Sequence, residues 1–245
     1  MTNLSRLDVI RLFAFSMLLL LLPARPWAQQ LPPIAEQMAK TYGLDSFGQI
    51  EGIRYTFNAE LPGVELSRKW EWNPKTDTVS YEGKDKEGKP VKVTYPRPQL
   101  GSQNDAVKNE IEPTFTNDQY WLLFPFHVVW DSSATVIDEG VQKMPIGNAS
   151  AERVVVKYPS GGGYSEGDTW ELYVGADKRI EEMIYHRGGA RKPQLVTATW
   201  TDYKKVGPLL IATDHRGTAD GNPLRVSFSD VSVKMTGSEN WIKAQ

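Results

Sequence analysis

Hydrophobic and polar positions alternate along most of this chain, and the period changes in only two places. Near the start, Pro32-Pro33 is followed by Ile34, Ala35, Met38 and Ala39, with Gly43 just beyond. That spacing predicts a short amphipathic helix with a proline start and a glycine stop. From about Ile50 the period falls to two. Ile53, Tyr55, Phe57 and Ala59 alternate with Arg54, Thr56 and Asn58, and Leu61-Pro62-Gly63 turns the chain. Val64, Leu66, Arg68, Trp70 and Trp72 then share one face of a strand, with Glu65, Ser67, Lys69 and Glu71 on the other. A turn at Asn73-Pro74-Lys75-Thr76, the pair Val79 and Tyr81, a polar tip at Asp85-Lys86-Glu87-Gly88 and the set Val91, Val93 and Tyr95 complete an antiparallel meander.

The middle of the chain differs in kind. Residues 96–113 are polar with one helical turn, and Thr116 with Gln119 forms a T-x-x-Q capping box that predicts a helix start there. In Tyr120 to Trp130 nine residues of eleven are apolar, the exceptions being Pro125 and His127, and Pro125 is expected to end or kink the helix. Strands resume over 134–137, 153–158, 169–174, 180–186, 195–203, 209–213 and 224–233, separated by turn-rich segments. The fold class expected is mainly β: a single curved antiparallel sheet of ten or eleven strands, an incomplete or half barrel, with one or two helices on its concave side.

Composition places this sheet in a compartment. Arg6 and Arg11, the apolar stretch Leu12 to Leu22 and the sequence Pro23-Ala24-Arg25-Pro26-Trp27-Ala28 have the three regions of an export signal. The stretch is shorter than the roughly 20 residues that span a bilayer. Cleavage near Ala28 is therefore expected, dividing the chain into a signal peptide (1–28) and one half-barrel domain (29–245), with periplasmic or secreted location. The whole chain carries a net charge of −2, and losing Arg6, Arg11 and Arg25 against Asp8 makes it −4, so nucleic acid is not expected as a partner. Cysteine is absent, which removes disulfides, thiol nucleophiles and a lipid-bearing cysteine, so no stable membrane anchor is expected either.

Candidate chemistry is sparse. The glycine run from Ser160 to Gly167 lacks the Lys-Ser/Thr of a phosphate loop and reads as a hairpin loop. No G-x-S-x-G or H-E-x-x-H stretch occurs. His127, His186 and His215 fall on three separate elements, so no metal site or cofactor is expected; His186 and His215 read as solvated or locally bonded, His127 as a core histidine. Glu65, Glu71, Glu181 and Glu182 read as a solvated outer face. What remains is aromatic. Trp70, Trp72 and Tyr81 on neighbouring strands, with Trp121, Phe124, Phe126 and Trp130 around His127 on the kinked segment, either fill the concave side or leave an apolar cavity with that segment as its lid. These eight are the candidate ligand-binding residues.

The stretches Trp70-Glu71-Trp72-Asn73, Tyr120-Trp121-Leu122-Leu123-Phe124-Pro125-Phe126 and Trp200-Thr201-Asp202-Tyr203 resemble an exported bacterial family of unassigned function. That family is similar to the periplasmic lipoprotein carriers of the LolA and LolB type. The resemblance implies an incomplete barrel closed by helices around a hydrophobic cavity, and a hydrophobic small molecule or lipid as partner. Two other classes are weighed beside binding and carrying an acyl chain. One is a hydrolase using the cup around His127; the other is an interaction module whose exposed sheet face meets an envelope protein.

Overall fold

The structure is a computed structural model that describes residues 31–161, 164–189, 192 and 194–245. The signal segment lies outside the described residues. Two short helices, α1 (Pro33–Thr41) and α2 (Leu44–Phe47), precede four strands, β1 (Ile50–Leu61), β2 (Val64–Asn73), β3 (Thr78–Lys84) and β4 (Pro90–Pro96). A 3₁₀ segment (Arg97–Ser102) and a π-helical turn (Val107–Ile111) lead into α3 (Glu112–Trp130). Nine strands follow: β5 (Thr135–Lys143), β6 (Ser150–Lys157), β7 (Thr169–Val174), β8 (Ile180–Arg187), β9 (Gln194–Thr199), β10 (Thr201–Val206), β11 (Leu209–Ala219), β12 (Asn222–Met235) and β13 (Trp241–Lys243).

All thirteen strands form one antiparallel sheet, in the order β4-β3-β2-β1-β12-β11-β9-β8-β7-β6-β5, with β10 pairing on β11 and β13 on β12. The edge strands β4 and β5 do not pair with each other, so the sheet curls into a half barrel without closing. Alternation places the predicted faces as expected: Trp70 pairs with Tyr55 and Tyr81, Trp72 with Ile53 and Val79, and all six are buried. The count exceeds ten or eleven for two reasons. The short β13 was not anticipated, and the strand expected over 195–203 breaks at Trp200 into β9 and β10. Trp200, 2% exposed, turns its ring into the core parallel to Trp121 at 6.1 Å.

The first helix follows its sequence signals. Ile34, Ala35, Met38 and Ala39 are its buried positions, Pro33 opens it, and Gly43 at φ 103° ends it. A side chain at Gly43 would also meet the Pro208 carbonyl, 2.5 Å from an added Cβ. Tyr42 ties this end down, its hydroxyl lying 2.5 Å from that of Tyr203 and accepting the Ile180 N–H at 2.9 Å, while Tyr203 donates to the Ile180 carbonyl at 2.6 Å.

Helix α3 departs from expectation at its start. It begins at Glu112 rather than at the capping box, and Thr116 and Gln119 lie inside it, buried. The kink expected from Pro125 is present two residues before it, at Leu123 (φ −118°, ψ 16°), and the helix continues past the proline to Trp130. An internal proline costs about 3 kcal/mol. Thirteen of the nineteen residues of α3 are buried, Pro125 among them, and that burial outweighs both the proline and the local cap signal.

One carboxylate expected on the solvated face is buried, and one histidine expected to be solvated or locally bonded is locally bonded and buried. Glu182 was assigned to the outer face, but the chain after β5 folds over it, and its carboxylate accepts the Ile146 and Gly147 amides at 2.7 and 2.8 Å. His215 was placed at a hairpin mouth, but β11 continues to Ala219 and leaves it fully buried against Trp200 at 4.1 Å, with Nδ1 3.3 Å from the Thr199 carbonyl. Burial pushes the His215 pKa down to about 3, so the folded state holds it neutral while the unfolded chain takes up a proton near pH 6.5. Stability contributed by the neutral ring is therefore intact above about pH 6.5 and is lost as pH falls towards 3, by up to about 1.4 kcal/mol per pH unit. Urea unfolding should thus weaken between pH 7 and 5 more steeply in the parent than in His215→Gln. Equal pH dependence in the two would show that His215 titrates freely in the fold.

Candidate functional site

The antiparallel order sends the β1–β2, β6–β7, β8–β9 and β11–β12 connections to one end of the half barrel. At the opposite end, Phe47 of α2 packs on Trp72, Phe126 and Trp130 with centroids 6.3, 5.1 and 4.6 Å away. The first end has no such plug among the described residues. The inward-facing residues also shrink towards it. Along β1 they run Tyr55, Phe57, Ala59; Ala59 pairs with Leu66 on one side and Val226 on the other, and in the next row Gly217 lies between Leu224 and Ala198. Gly217 lets the β9 backbone approach closely, since an added Cβ would lie 1.8 Å from the Thr197 carbonyl oxygen, while Ala59 and Ala219 border the space left open at this end.

That space is a cavity of about 540 Å³. Phe57, Ala59, Leu61 and Leu66 line it from β1 and β2, Trp170, Tyr185 and Val196 from β7 to β9, and Leu224 and Val226 from β12. Thr116, Tyr120 and Trp121 line it from the first half of α3. The apolar character continues onto the rim, where Leu66 and Tyr164 are 39 and 43% exposed. Exposed apolar groups clustered around an opening are a mark of a binding site rather than of an ordinary surface.

One charged group borders the cavity with a specific structural role. Arg68 donates through Nε and Nη2 to the two oxygens of Asp118 at 2.7 and 2.6 Å, and its guanidinium lies 4.6 Å from the Phe57 ring centre. Asp118 is fully buried and also accepts the Trp70 indole N–H at 2.8 Å and the Asn117 amide at 3.1 Å. Burial pushes its carboxyl upward, with Arg68 opposing. This pair pins α3 to β2 at the depth where the cavity begins.

A second hollow, of about 510 Å³, opens on the unclosed side of the half barrel and is polar. Asp131, just after α3, is its hub: it accepts the hydroxyls of Tyr120 and Tyr158, both at 2.7 Å, and its Oδ1 lies 3.1 Å from His127 Nδ1. Nε2 of the same imidazole lies 3.1 Å from Gln119 Oε1, and the Tyr120 ring stacks on it at 3.9 Å. Burial alone would raise the Asp131 carboxyl, but hydrogen bonds from His127, Tyr158 and Tyr120 outweigh it and hold the group below the usual aspartate range.

The eight candidate residues therefore separate. Trp121 borders the cavity. Trp72, His127 and Trp130 border the polar hollow. Trp70 packs on Tyr81 at 4.6 Å and Phe115 at 5.3 Å, and Phe124 and Phe126 are fully buried, Phe124 stacked on Trp170 at 4.1 Å. The segment around Pro125 thus belongs to the filled part of the molecule, and the cavity meets the earlier turns of α3. Sequence reasoning did not pick out Phe57, Leu61, Tyr120, Val196 or Leu224 as wall residues. Alternation identified the inner face of each strand but not which rows of that face lack a plug. Arg68 did carry a signal, as the one charge on the apolar face of β2. Among the described residues, no group of three or more His, Asp or Glu side chains gathers as a metal site.

No family model and no curated protein matches the chain. Solved structures do. A DUF1329 family protein from Desulfovibrio piger is 9% identical with a TM-score of 0.44, over 84% of this chain and 93% of the other. A putative outer membrane lipoprotein-sorting protein domain from Vibrio parahaemolyticus is 13% identical with a TM-score of 0.42, over 84% and 95%. Lipoprotein LppX of Mycobacterium tuberculosis is 8% identical with a TM-score of 0.30, over 82% and 96%. No helix among the described residues is long and apolar enough to cross a membrane.

The division between filled core and open mouth is testable by substitution. Phe124→Ala should cost about 3 to 5 kcal/mol in urea unfolding, because its neighbours cannot collapse into the space. Leu66→Ala, at 39% exposure on the rim, should cost less than about 1 kcal/mol. Comparable losses would show that the mouth is packed as tightly as the centre.

Proposed function

We propose that the chain is exported, loses residues 1–28, and acts in the periplasm as a protein that binds and carries a hydrophobic ligand, a lipid or acyl chain, in the mouth cavity. The observation that carries this reading is the cavity itself: about 540 Å³ of space at the unplugged end, walled by Phe57, Leu61, Leu66, Trp121, Val196 and Leu224. Ligand pockets occupy roughly 300 to 1,000 Å³ and are mostly apolar with a few placed polar groups. The exposed apolar rim gives such a ligand a continuous path from the surface. Of the eight residues singled out in the sequence, Trp121 is the one in direct reach of the ligand. Trp70, Phe124 and Phe126 serve by holding the walls. The hydrolase reading draws no support from His127, whose ring nitrogens already face Asp131 and Gln119.

Trp121 is a built-in reporter. Titration of the mature chain with fatty acids of increasing length should change tryptophan emission in a saturable way. Affinity should rise with each added methylene by up to about 0.8 kcal/mol, roughly fourfold, until the cavity is full. Trp121→Phe should reduce the signal, with Trp170 of the same cavity reporting the remainder, while leaving binding measurable by calorimetry. No saturable response at any chain length would refute the reading.

A further inference from the structure

The mouth cavity and the polar hollow are neighbours, separated only by residues they share. Thr116 and Tyr120 of α3 line both, as do Tyr164 and Ser165, which precede β7. A single elongated molecule leaning across this partition would touch both. The two spaces differ in balance: the first is walled mainly by Leu, Val and aromatic side chains with Arg68, Asp168, Arg187 and Gln194 among them, the second mainly by Arg97, Gln119, His127, Asp131 and Tyr158 with Trp72 and Trp130 at its border.

The polar hollow is poorly suited to an anion. Among its described lining residues Arg97 is the one side chain with a permanent positive charge, and it already donates to Glu112 Oε1 at 2.9 Å and to Asp77 Oδ1 at 3.2 Å. An anionic group would have to compete with two carboxylates for it. His127 is likewise engaged by Asp131. The same hollow suits a hydrogen-bond donor. Asp131 is held ionised, the rings of Trp72 and Trp130 border the space, and an aromatic face attracts polarised C–H groups and cations alike. A further mark lies on the partition: Thr116 is 7% exposed, and its Oγ1 has no hydrogen-bond partner among the described residues. A buried hydroxyl without a partner ordinarily costs about 1 to 3 kcal/mol, which a polar group spanning the two hollows would relieve.

We propose that the ligand is amphipathic, its chain in the mouth cavity and its head in the Tyr120–Asp131–Tyr158 hollow, and that this head donates hydrogen bonds and carries no net negative charge. Hydroxylated and ammonium heads share that chemistry. The proposal rests on the acyl-chain reading of the mouth cavity.

Three probes with the same dodecyl chain test it on the mature protein: dodecyl glucoside, dodecylammonium and dodecanoate, each below its critical micelle concentration and read by tryptophan emission. The glucoside or the ammonium should bind at least about tenfold more tightly than dodecanoate, the gain expected from one or two hydrogen bonds. A preference for the glucoside assigns a hydroxylated head, and a preference for the ammonium assigns a cationic one. Thr116→Val should shrink the preference several-fold. Tyr164→Phe, at an exposed position where folding is not at risk, should shrink it as well. Equal affinity for all three probes, or tighter binding of dodecanoate, would overturn the proposal while leaving the acyl-chain reading in place. Binding of none would remove both.

Discussion

A sheet that does not close cannot bury its own concave face. Here β4 and β5 remain unpaired with each other, so the Trp, Tyr and Phe side chains that alternation directs inward need helices to cover them, α3 above all. This constraint explains the composition of α3. An ordinary surface helix keeps a polar stripe for solvent, whereas a helix enclosed on most sides must be apolar almost all round. It also explains the few polar groups that α3 retains. Asp118 is buried because Arg68, Trp70 and Asn117 together satisfy it, and losing a partner of such a buried charge is costly, about 3 to 5 kcal/mol for a typical pair. The Arg68–Asp118 contact therefore sets the depth at which α3 sits, and that depth decides how much of the half barrel stays empty.

Much of this architecture was legible in the sequence because period-two alternation needs no knowledge of tertiary contacts. Val64 to Trp72 declared both faces of β2, and Pro33 with Gly43 bounded α1 almost to the residue. Local signals failed where burial overrode them. Thr116 and Gln119 look like a helix cap, yet both lie inside one buried helix, which Pro125 kinks without ending. His215 and Glu182 looked like surface groups because their neighbours Asp214, Arg216 and Glu181 are polar, and only the continuation of β11 and the fold-over after β5 bury them. The cavity was the least legible feature. Its lining residues, among them Ala59, Tyr120, Val196 and Leu224, come from elements far apart in the chain, and such a meeting leaves no local trace.

The two ends of the half barrel consequently have different roles. At one, α2 and the later turns of α3 form a tightly stacked aromatic cluster that gives the molecule its rigidity. At the other, a cavity remains open, and the exposed side chains of Leu66 and Tyr164 border it. Rigidity at the first end is what allows the second to remain open, since a cavity persists only where its walls cannot relax inward.

Whether that room is occupied in the cell is the question on which the account turns. Native mass spectrometry of the mature protein, isolated from the periplasmic fraction without detergent, answers it directly. The account predicts a population heavier than the polypeptide by the mass of one lipid, released as a discrete species on collisional activation. A single peak at the bare polypeptide mass, unchanged after incubation with an extract of membrane lipids, would contradict it.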